Sequence, residues 1–385
     1  MTHNTSALVV VGSGMAAWAL IREFRKLDRQ TPVTLVTRDS GDFYSKPMLS
    51  NALASGKSPA DLVNTSRTAM AEQLAVGVMD HTDVHTIDAA AHNISTSRGP
   101  IGYRRLVLAL GADPVTLPLQ GNAADRVLSV NDLGDYAQFR KALETAKRVV
   151  IIGAGLIGCE FANDLVAAGY RVDMIDPASH PLGRLLPVAA GERLQQALTQ
   201  AGVHFHLGTT VQRIDQADDG LSMVLANGDR LTGDVVLSAV GLRPRIALAR
   251  RTGLHTARGI VVDRQLQTSA SDIYALGDAA EVEGQVLPYV LPLMAAARTL
   301  AAHLAGQPAV LRYPAMPVAV KTPAMPLVVS PPAAGASGQW QIASEPEGID
   351  ARFISDDGTL LGFALAGNAT ARKATLQKML PALIA

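Results

Sequence analysis

Short apolar runs that end in glycine are the main feature of the hydrophobic pattern of this chain. Ala-Leu-Val-Val-Val at residues 7–11 ends at Gly12, and Val-Val-Ile-Ile at residues 149–152 ends at Gly153. Runs of this length that are bounded by glycine are typical of strands buried inside a parallel sheet. The segment after each run is predicted to be a helix, so the pattern predicts two strand–turn–helix units.

Further apolar runs extend both units. Val33 to Thr37 and Val172 to Asp176 follow the two predicted helices and predict the second strand of each βαβ unit. Leu106 to Gly111 predicts a strand that closes the first unit, and Asp234 to Gly241 predicts one that closes the second. Asp272 to Asp278 predicts that the chain later returns to that first unit, which would make it discontinuous. From about Leu311 the chain mixes proline-rich segments with short strand-like runs, which is typical of a small α+β domain.

Two glycine motifs occupy the predicted strand–helix turns. They read Gly12-x-Gly14-x-x-Ala17 and Gly153-x-Gly155-x-x-Gly158. In this pattern the first glycine permits a tight turn, the second lets the backbone approach a pyrophosphate, and the third small residue brings helix and strand together. The free N–H groups of the helix N-terminus then face the phosphates. Two such motifs predict two dinucleotides on one chain, namely a flavin and a nicotinamide nucleotide.

The composition is that of an ordinary globular protein. The chain has 385 residues, 48% of them hydrophobic, and a formal net charge of zero. Zero net charge gives no electrostatic argument for binding nucleic acid or an anionic membrane. The short polar N-terminus predicts no signal peptide, and the apolar stretch from Tyr289 to Ala305, which carries Arg298 and His303, predicts a buried helix and not a membrane span. A cytoplasmic location is therefore expected.

A single cysteine, Cys159, limits the possible chemistry. No intrachain disulfide can form, so a redox-active cysteine pair is excluded, and Cys159 is predicted to be a buried structural thiol. The nine histidines form no Ser-His-Asp or metal-ligand pattern, so no metal site is predicted.

The order of these motifs resembles the two-dinucleotide flavoprotein reductases of the glutathione-reductase structural family. The resemblance rests on the two glycine motifs together with Ala109-Leu-Gly111-Ala, Ala239-Val-Gly241-Leu-Arg-Pro and Tyr274-Ala-Leu-Gly277-Asp278. Phe43 to Ser50 and Pro317 to Pro323 are similar to the rubredoxin reductase subgroup. The resemblance covers nearly the whole chain and implies FAD and NADH as cofactors.

The fold implied is α/β, with two Rossmann-like, glutathione-reductase-type domains and a small α+β C-terminal domain. Residues 1–113 and 233–310 are expected to form a discontinuous FAD-binding domain. Residues 114–232 are expected to form the NAD-binding domain, and residues 311–385 the C-terminal domain. Because this last segment is shorter than the dimerisation domain of the disulfide reductases, a monomer or weak dimer is expected.

The resemblance also implies which residues meet the cofactors. Lys46 and Glu160 would form an ion pair beside the flavin N5 and are the expected catalytic residues. Asp278 would bind the ribityl chain, and Lys321 would lie near the pyrimidine edge of the flavin. The expected cofactor-binding residues are Gly12, Ser13, Gly14, Met15, Ala16, Thr37, Arg38, Lys46, Pro47, Val84, Ala109, Gly111, Gly153, Gly155, Leu156, Ile157, Glu160, Asp176, Gly241, Gly277, Asp278, Val290 and Lys321.

The two units differ at the end of the second strand. Asp176 can accept hydrogen bonds from the adenosine ribose hydroxyls and repel a 2′-phosphate, and residues 177–179 contain no arginine, so NADH is favoured over NADPH. His180 and Arg184 follow closely and moderate that preference. The first unit has Thr37 at this place, so either Thr37 or Asp39 would hold the FAD ribose, and both alternatives stay open.

The function implied is hydride transfer from NADH to FAD N5, followed by transfer of single electrons to rubredoxin. Ferredoxin and flavorubredoxin are alternative acceptors. A disulfide or peroxide reductase is disfavoured because the stretch through Asn51 has no cysteine. A redox-sensing FAD- and NAD-binding protein with little turnover is the remaining alternative. Candidates for a basic patch that docks an acidic iron protein are Arg243, Arg245, Arg298, Arg312 and Lys321.

Overall fold

The structure, a computed structural model, describes residues 8–385. The N-terminal residues on which the absence of a signal peptide was predicted lie outside this range. The first sheet contains five parallel strands. In spatial order these strands are Ile273–Ala275, Arg105–Leu108, Leu8–Val11, Val33–Val36 and Val76–Met79. The helices Met15–Leu27 and Val290–Leu304 pack against each other beside this sheet, so the chain does return to its first unit after residue 272.

A second parallel sheet repeats the architecture. Its four strands in spatial order are Val203–Leu207, Arg171–Asp176, Arg148–Ile152 and Val235–Ser238. The helices of this unit are Leu133–Leu143, Leu156–Ala167 and Val188–Ala201. An antiparallel sheet of Val211–Ala217, Gly220–Leu225 and Arg230–Gly233 supplies a second layer, because its apolar residues share a core with the parallel strands.

One predicted domain boundary is wrong. The boundary was placed at residue 232, although residues 234–241 were predicted to close the second unit, and Val235–Ser238 pairs in parallel with Arg148–Ile152 inside the second sheet. The strand belongs there because its valines are buried between the layers of that unit. The chain crosses back just afterwards, where Leu242–Pro244 pairs antiparallel with Ala112–Pro114. These two adjacent strands are the connection between the units.

The C-terminal domain is an antiparallel sheet with a short helix. Its strands in spatial order are Val318–Val320, Leu327–Ser330, Leu360–Gly367, Gly348–Ile354 and Gln339–Glu345, and the helix is Lys373–Gln377. One face of the sheet shares a core with the second unit. The C-terminal end returns to the first unit, where Ile384 bonds to Tyr313 and lies in the first core. The predicted fold class is confirmed.

Shorter elements connect these layers. The strands are Phe43–Tyr44, Val63–Thr65, Val84–Asp88, Asn93–Thr96, Gly99–Gly102, Ile260–Val262 and Ala280–Val282, and the helices are Arg67–Leu74 and Ala247–Arg251. Turns of 3-10 helix cover Lys46–Asn51, Ala60–Leu62, Ala124–Arg126, Gly277–Ala279 and Asn368–Arg372. Pro292 is accommodated in the first turn of its helix, where a missing N–H costs no internal bond. Among the helices of residues 8–385, none has the length and apolar character needed to cross a bilayer.

Candidate functional site

A cleft lies between the two parallel sheets, at the ends where their glycine loops are. Its volume is about 1690 Å³. Pockets for one small ligand reach roughly 1,000 Å³, so this cleft has room for two large ligands. Every residue expected to bind a cofactor lines it, with one exception. The exception is Gly277, where an added Cβ would lie 2.8 Å from the Cβ of Ala16, so this glycine permits close packing behind the cleft.

The first glycine loop begins the helix Met15–Leu27. Gly12 has φ +105°, and a Cβ there would lie 2.3 Å from the carbonyl oxygen of Ala109, so only glycine fits. Gly14 is different, because nothing lies within 4 Å of where its Cβ would be. It is the N-cap residue of the helix and provides no side-chain cap. The first N–H groups of the helix are therefore accessible to a phosphate, which fits a bound dinucleotide.

The second glycine loop has the same geometry. Gly153 has φ +107°, and its added Cβ would lie 2.7 Å from the carbonyl oxygen of Ala239. Gly155 is open on the cleft side and is the uncapped N-cap residue of Leu156–Ala167. At the third position, a Cβ on Gly158 would lie 1.9 Å from the oxygen of Gly153. Both loops thus fit the phosphates of a dinucleotide.

A hydroxyl–carboxylate cluster marks the end of the second strand in the first unit. The Asp39 Oδ1 atom accepts hydrogen bonds from Ser13 Oγ at 2.5 Å and from Thr37 Oγ1 at 2.7 Å. Thr37 is buried, whereas Asp39 is exposed to the cleft. The two alternatives for the ribose site were Thr37 and Asp39. The structure places the carboxylate of Asp39 within hydrogen-bond distance of Thr37, so both residues lie at the same place in the cleft. The predicted ribose contact itself stays a prediction.

In the second unit a single carboxylate takes this place. Asp176 Oδ2 accepts a hydrogen bond from the N–H of Ala154 at 2.7 Å, and Oδ1 accepts one from the N–H of Ala178 at 2.8 Å. Asp176 therefore fixes the second glycine loop to the turn after its own strand. Each carboxylate oxygen keeps a further lone pair for a ribose hydroxyl.

The expected ion pair between Lys46 and Glu160 is absent from this structure. Lys46 Nζ lies 3.9 Å from Asp278 Oδ2, while Glu160 Oε2 lies 2.9 Å from Lys321 Nζ. Ser50 Oγ donates to the same carboxylate at 2.5 Å. The partners differ from the prediction because the C-terminal segment brings both the backbone N–H, at 3.0 Å, and the ammonium of Lys321 to Glu160.

The environment of Lys46 is strongly polarised. Burial lowers the pKa of Lys46 below its ordinary value, the nearby Asp278 acts in the opposite direction, and Arg245 lowers the pKa further. Arg245 reaches this region because it donates to the carbonyl of Leu110 at 2.9 Å and pairs with Asp113. Two cations, Lys46 and Arg245, therefore lie in the cleft with their carboxylate partners Asp278 and Asp113.

Several residues of the site were not predicted. Ser50 is the last residue of the Phe43-to-Ser50 run and Asn51 follows it, and Asn51 Oδ1 accepts a hydrogen bond from Lys321 Nζ at 2.7 Å. Asn131 is buried in the cleft wall, donates to the carbonyl of Ala112 at 2.9 Å, and leaves its amide oxygen without a hydrogen-bond partner in the described chain. Ser50 belongs to the Phe43-to-Ser50 run, which supported the family resemblance, whereas no sequence motif around Asn131 indicated a role in the site.

The expected basic patch is divided by the fold. Arg243, Arg245 and Lys321 line the cleft. Arg298 and Arg312 are exposed on other parts of the surface and do not line it. The five cations therefore form no single patch around the cleft.

Cys159 lies in the helix Leu156–Ala167, which follows the second glycine loop, and is fully buried. Burial raises the pKa of its thiol well above the ordinary value, and its Sγ lies 3.4 Å from the carbonyl oxygen of Ala154. A buried thiol with a raised pKa is unreactive, which supports the predicted structural role.

Comparison with known proteins gives matches over nearly the whole chain. A family profile described as pyridine nucleotide-disulphide oxidoreductase matches residues 6–302, and one described as the rubredoxin binding C-terminal domain matches residues 310–380. The chain is 49% identical to the rubredoxin-NAD(+) reductase of Alcanivorax borkumensis, over 98% of this chain and 99% of that protein. It is 44% identical to the protein of the same name from Acinetobacter baylyi, with 98% of both chains covered.

Solved structures share the fold. The ferredoxin reductase for the CYP199A2 system of Rhodopseudomonas palustris superposes with a TM-score of 0.89 at 26% identity, covering 98% of this chain and 95% of that one. The NADH:rubredoxin oxidoreductase of Clostridium acetobutylicum superposes with a TM-score of 0.81 at 18% identity, covering 97% and 94%. Two glycine loops on one cleft, the matching profiles and these relatives agree: the chain belongs to the pyridine nucleotide-disulphide oxidoreductase family.

Proposed function

We propose that this chain is an FAD-dependent NADH:rubredoxin oxidoreductase. The observation that carries the proposal is that two dinucleotide-binding loops open into one cleft, in a chain whose residues 310–380 match a rubredoxin-binding domain. Two relatives, at 49% and 44% identity over nearly their full length, carry the name rubredoxin-NAD(+) reductase. FAD, when bound, takes up the electron pair of a hydride and releases electrons singly.

We assign the FAD to the first unit, residues 8–114 with the returning segment after residue 242. The first glycine loop offers N–H groups to the diphosphate, and the Ser13–Thr37–Asp39 cluster offers a carboxylate to the adenosine ribose. Asp278, beside the start of the helix Val290–Leu304, offers an acceptor to the ribityl hydroxyls. These donors and acceptors lie along one wall of the cleft, as an extended dinucleotide requires.

We assign NADH to the second unit, which ends after Val235–Ser238. The second glycine loop receives the diphosphate, and Asp176 receives the adenosine ribose hydroxyls. Because the carboxylate repels a 2′-phosphate, NADH is the preferred donor. The two units face one cleft, so the nicotinamide can lie against the flavin ring at the floor between Lys46 and Glu160.

The floor of the cleft supplies positive charge where negative charge develops. Lys46 and Lys321 are two of the ammonium groups that line the cleft, and each has a carboxylate partner that limits its movement. Glu160 is almost fully buried, and a buried carboxylate needs partners, which here are Lys321 and Ser50. We propose that Lys46 acts directly on the bound flavin and that Glu160 acts as a positioning residue for Lys321.

Flavorubredoxin is the second candidate acceptor. The chain is 39% identical to the nitric oxide reductase FlRd-NAD(+) reductase of Aeromonas salmonicida, over 97% of this chain and 96% of that protein. Rubredoxin is preferred because the relatives named for it are closer in sequence.

We also propose a monomer or weak dimer, which sedimentation velocity would test over a range of concentrations.

The test is an anaerobic titration of the FAD-loaded protein with NADH, followed by oxidised rubredoxin. We expect NADH to bleach the flavin absorbance and a catalytic amount of protein to bleach the rubredoxin iron–sulfur absorbance. The Asp278→Ala variant should bind FAD more weakly, whereas Asp218→Ala, which removes an exposed carboxylate outside the cleft, should behave as the unaltered protein. Flavin bleaching without rubredoxin reduction would contradict the assigned acceptor, and flavorubredoxin is then tested in the same assay.

A further inference from the structure

The segment that carries Lys46 packs on the second unit, although the flavin is assigned to the first. We call residues 44–57 the bridging segment. Its Leu49 and Ala52 are buried in the core that the second unit shares with the C-terminal domain. Among the described residues, the core of the first unit includes none from 44 to 69. The apolar side chains around Lys46 are therefore held by the second unit.

The helix Leu156–Ala167, which contacts the bridging segment, has a polar face that is buried. Glu160, Asn163 and Asp164 are each at most 6% exposed, whereas the other buried residues of this helix are apolar or small. Positions 160 and 164 are one turn apart, so their side chains share a face. Buried carboxylates need hydrogen-bond donors, and other segments of the chain supply them here.

Asp164 is the residue of this face that binds the bridging segment through both carboxylate oxygens. Its Oδ2 accepts a hydrogen bond from the N–H of Leu53 at 2.8 Å, and its Oδ1 accepts one from the N–H of Ala54 at 3.1 Å. Hydrogen bonds to a charged acceptor are stronger than those between neutral groups. Asp164 lies outside the lining of the cleft, so any effect on a bound cofactor must pass through another residue.

The helix Leu133–Leu143 of the second unit holds the two ends of the bridging segment. The N–H of Leu133 donates to Tyr44 Oη at 3.2 Å, and Arg140 donates to the carbonyl oxygen of Lys57 at 2.6 Å. Lys46 lies between the attachments at Tyr44 and Asp164. The second unit therefore sets the position of the backbone from which the Lys46 side chain extends into the cleft.

We propose that Asp164 is a positioning residue for flavin reduction, which holds the bridging segment on the second unit so that the ammonium of Lys46 lies at the flavin. The inference rests on the proposed function, in which Lys46 acts on FAD bound to the first unit. A displacement of about 1 Å is enough to slow a reaction that depends on a placed charge. Loss of the Asp164 contacts should therefore have the same consequence as loss of the Lys46 charge.

The same helix also connects this contact to the second nucleotide site. Gly155 is its N-cap residue, where the diphosphate of NADH is assigned, and Asp164 lies about two and a half turns further along. One element thus holds the hydride donor and places the lysine. Because the two tasks use different parts of the helix, removal of Asp164 should slow hydride transfer without weakening NADH binding.

The test compares Asp164→Ala with Asp234→Ala in the FAD-loaded protein. Asp234 is the matched control, because its Oδ2 also accepts from two adjacent backbone N–H groups, at 2.7 and 2.8 Å, and it lies outside the lining of the cleft. In stopped-flow experiments with saturating NADH, we expect Asp164→Ala to slow flavin reduction about fivefold, as for loss of the Lys46 charge. The dissociation constant for NADH should change less than about twofold. Asp234→Ala should keep the rate while losing at least as much stability in urea.

Two further measurements separate positioning from a purely structural role. In a Lys46→Met background, Asp164→Ala should slow flavin reduction no further, because the charge that it places is already absent. The midpoint potential of the bound flavin, measured against a reference dye, should become more negative in Asp164→Ala and in Lys46→Met, since a nearby cation favours the negative charge of the reduced flavin. Asp164→Asn keeps one accepting oxygen and should lie between Asp164→Ala and the unaltered protein.

A full loss of rate from Asp164→Ala in the Lys46→Met background would overturn the proposal, because the effect would then bypass Lys46. Unchanged rate and potential in folded Asp164→Ala would overturn it as well. If Asp164→Ala does not fold, Asp164→Asn is judged by the same two criteria. An unchanged rate in Lys46→Met, or failure of NADH to reduce the flavin of the unaltered protein, would instead contradict the proposed function.

Discussion

The first and second units place a carboxylate beside their glycine loops in two different ways. In the second unit, Asp176 ends its strand and bonds directly to the N–H of Ala154 in the glycine loop. In the first unit the strand is followed by Thr37, and the carboxylate comes from Asp39, which reaches the glycine loop through Ser13 Oγ. Both arrangements place a carboxylate oxygen beside a glycine loop.

The difference shows that the position of the acceptor matters more than the residue that supplies it. A direct carboxylate contact depends on one side chain, whereas the first unit uses three side chains and leaves Asp39 exposed. The arrangement in the first unit should therefore tolerate single substitutions better than the arrangement in the second unit. The following predictions test where the two units are equivalent and where they are not.

The largest contrast is expected at the third small residue of the glycine motifs. Gly158→Ala would place a Cβ 1.9 Å from the backbone oxygen of Gly153, whereas the first unit accommodates Ala17 at this place. We expect Gly158→Ala to lower the free energy of unfolding by about 3 kcal/mol, because backbone must move to admit the methyl group. Urea unfolding of the variant and of the unaltered protein, with NAD⁺ binding as the signal for the second unit, measures this difference.

Ala17→Gly is the matched change in the first unit. It creates no clash and removes a buried methyl group from a helix, so the loss should be about 1 kcal/mol. If Gly158→Ala unfolds at the same urea concentration as the unaltered protein, the two units are packed alike and the contrast is wrong.

The next effect concerns the hydroxyl–carboxylate cluster. Asp39→Asn replaces the carboxylate that accepts hydrogen bonds from Ser13 and Thr37 with a neutral amide. We expect the affinity for FAD to fall about tenfold, as for a lost hydrogen bond to a charged group. Thr37→Val should cost less, because Ser13 still reaches Asp39. Titration of the FAD-free protein by flavin fluorescence gives the dissociation constants.

These variants separate the two units only if NAD⁺ binding is unaffected. Binding of NAD⁺ by FAD-saturated Asp39→Asn should equal that of the unaltered protein. A parallel loss of both ligands would show that the cluster supports the fold of the whole cleft and not one ribose site.

A smaller effect should appear in the pH dependence of flavin reduction by NADH. Burial lowers the pKa of Lys46, so its positive charge is present below that pKa and is lost as the pH rises through it. We expect the rate to fall about fivefold across this range, less than for a fully buried oxyanion-hole donor. Stopped-flow measurements between pH 7 and 10.5 should show the decline, and Lys46→Arg should abolish it.

The same group predicts the sign of a stability change. The folded pKa of Lys46 lies below that of the unfolded chain, so the unfolded state binds more protons between the two values. The free energy of unfolding should therefore rise with pH in that interval, through this group. Lys46→Met should lose this contribution, and an unchanged pH dependence in that variant would contradict the assignment.

The smallest effect is expected at Cys159, where the first helix has Trp18. Both residues are buried in the helix that follows the glycine loop. Cys159→Ala should keep turnover within about twofold and lower the free energy of unfolding by about 1 kcal/mol, since the thiol only fills space. Iodoacetamide should label Cys159 only after urea unfolding, and labelling of the folded protein would contradict this structural role.

Local features of the sequence were sufficient for most of the fold. The apolar runs before Gly12 and Gly153 are observed as the strands Leu8–Val11 and Arg148–Ile152. These elements are predictable because strand burial and the glycine turn each depend on a few adjacent residues. The strand Val235–Ser238 was also predicted, within residues 234–241, to close the second unit, and the boundary at residue 232 is wrong because it was placed before this strand.

The candidate site was predictable residue by residue and only partly as an arrangement. The expected residues line one cleft, apart from Gly277, which lies behind it. The role of Asp39 could be foreseen only as an alternative, because it depends on the conformation of the loop after Thr37. Asn131 could not be foreseen, since its neighbour Ala112 is distant in sequence.

The sequence by itself determined that two βαβ units with glycine loops and one family architecture are present, because an apolar strand and the glycine turn that follows it each depend on a few adjacent residues. Only the tertiary structure decided which cation partners which acid. Lys46 lies with Asp278 and Lys321 with Glu160, contrary to the expected pair. The energy of an ion pair depends on a separation of a few ångströms and on burial, and segments far apart in the chain set both.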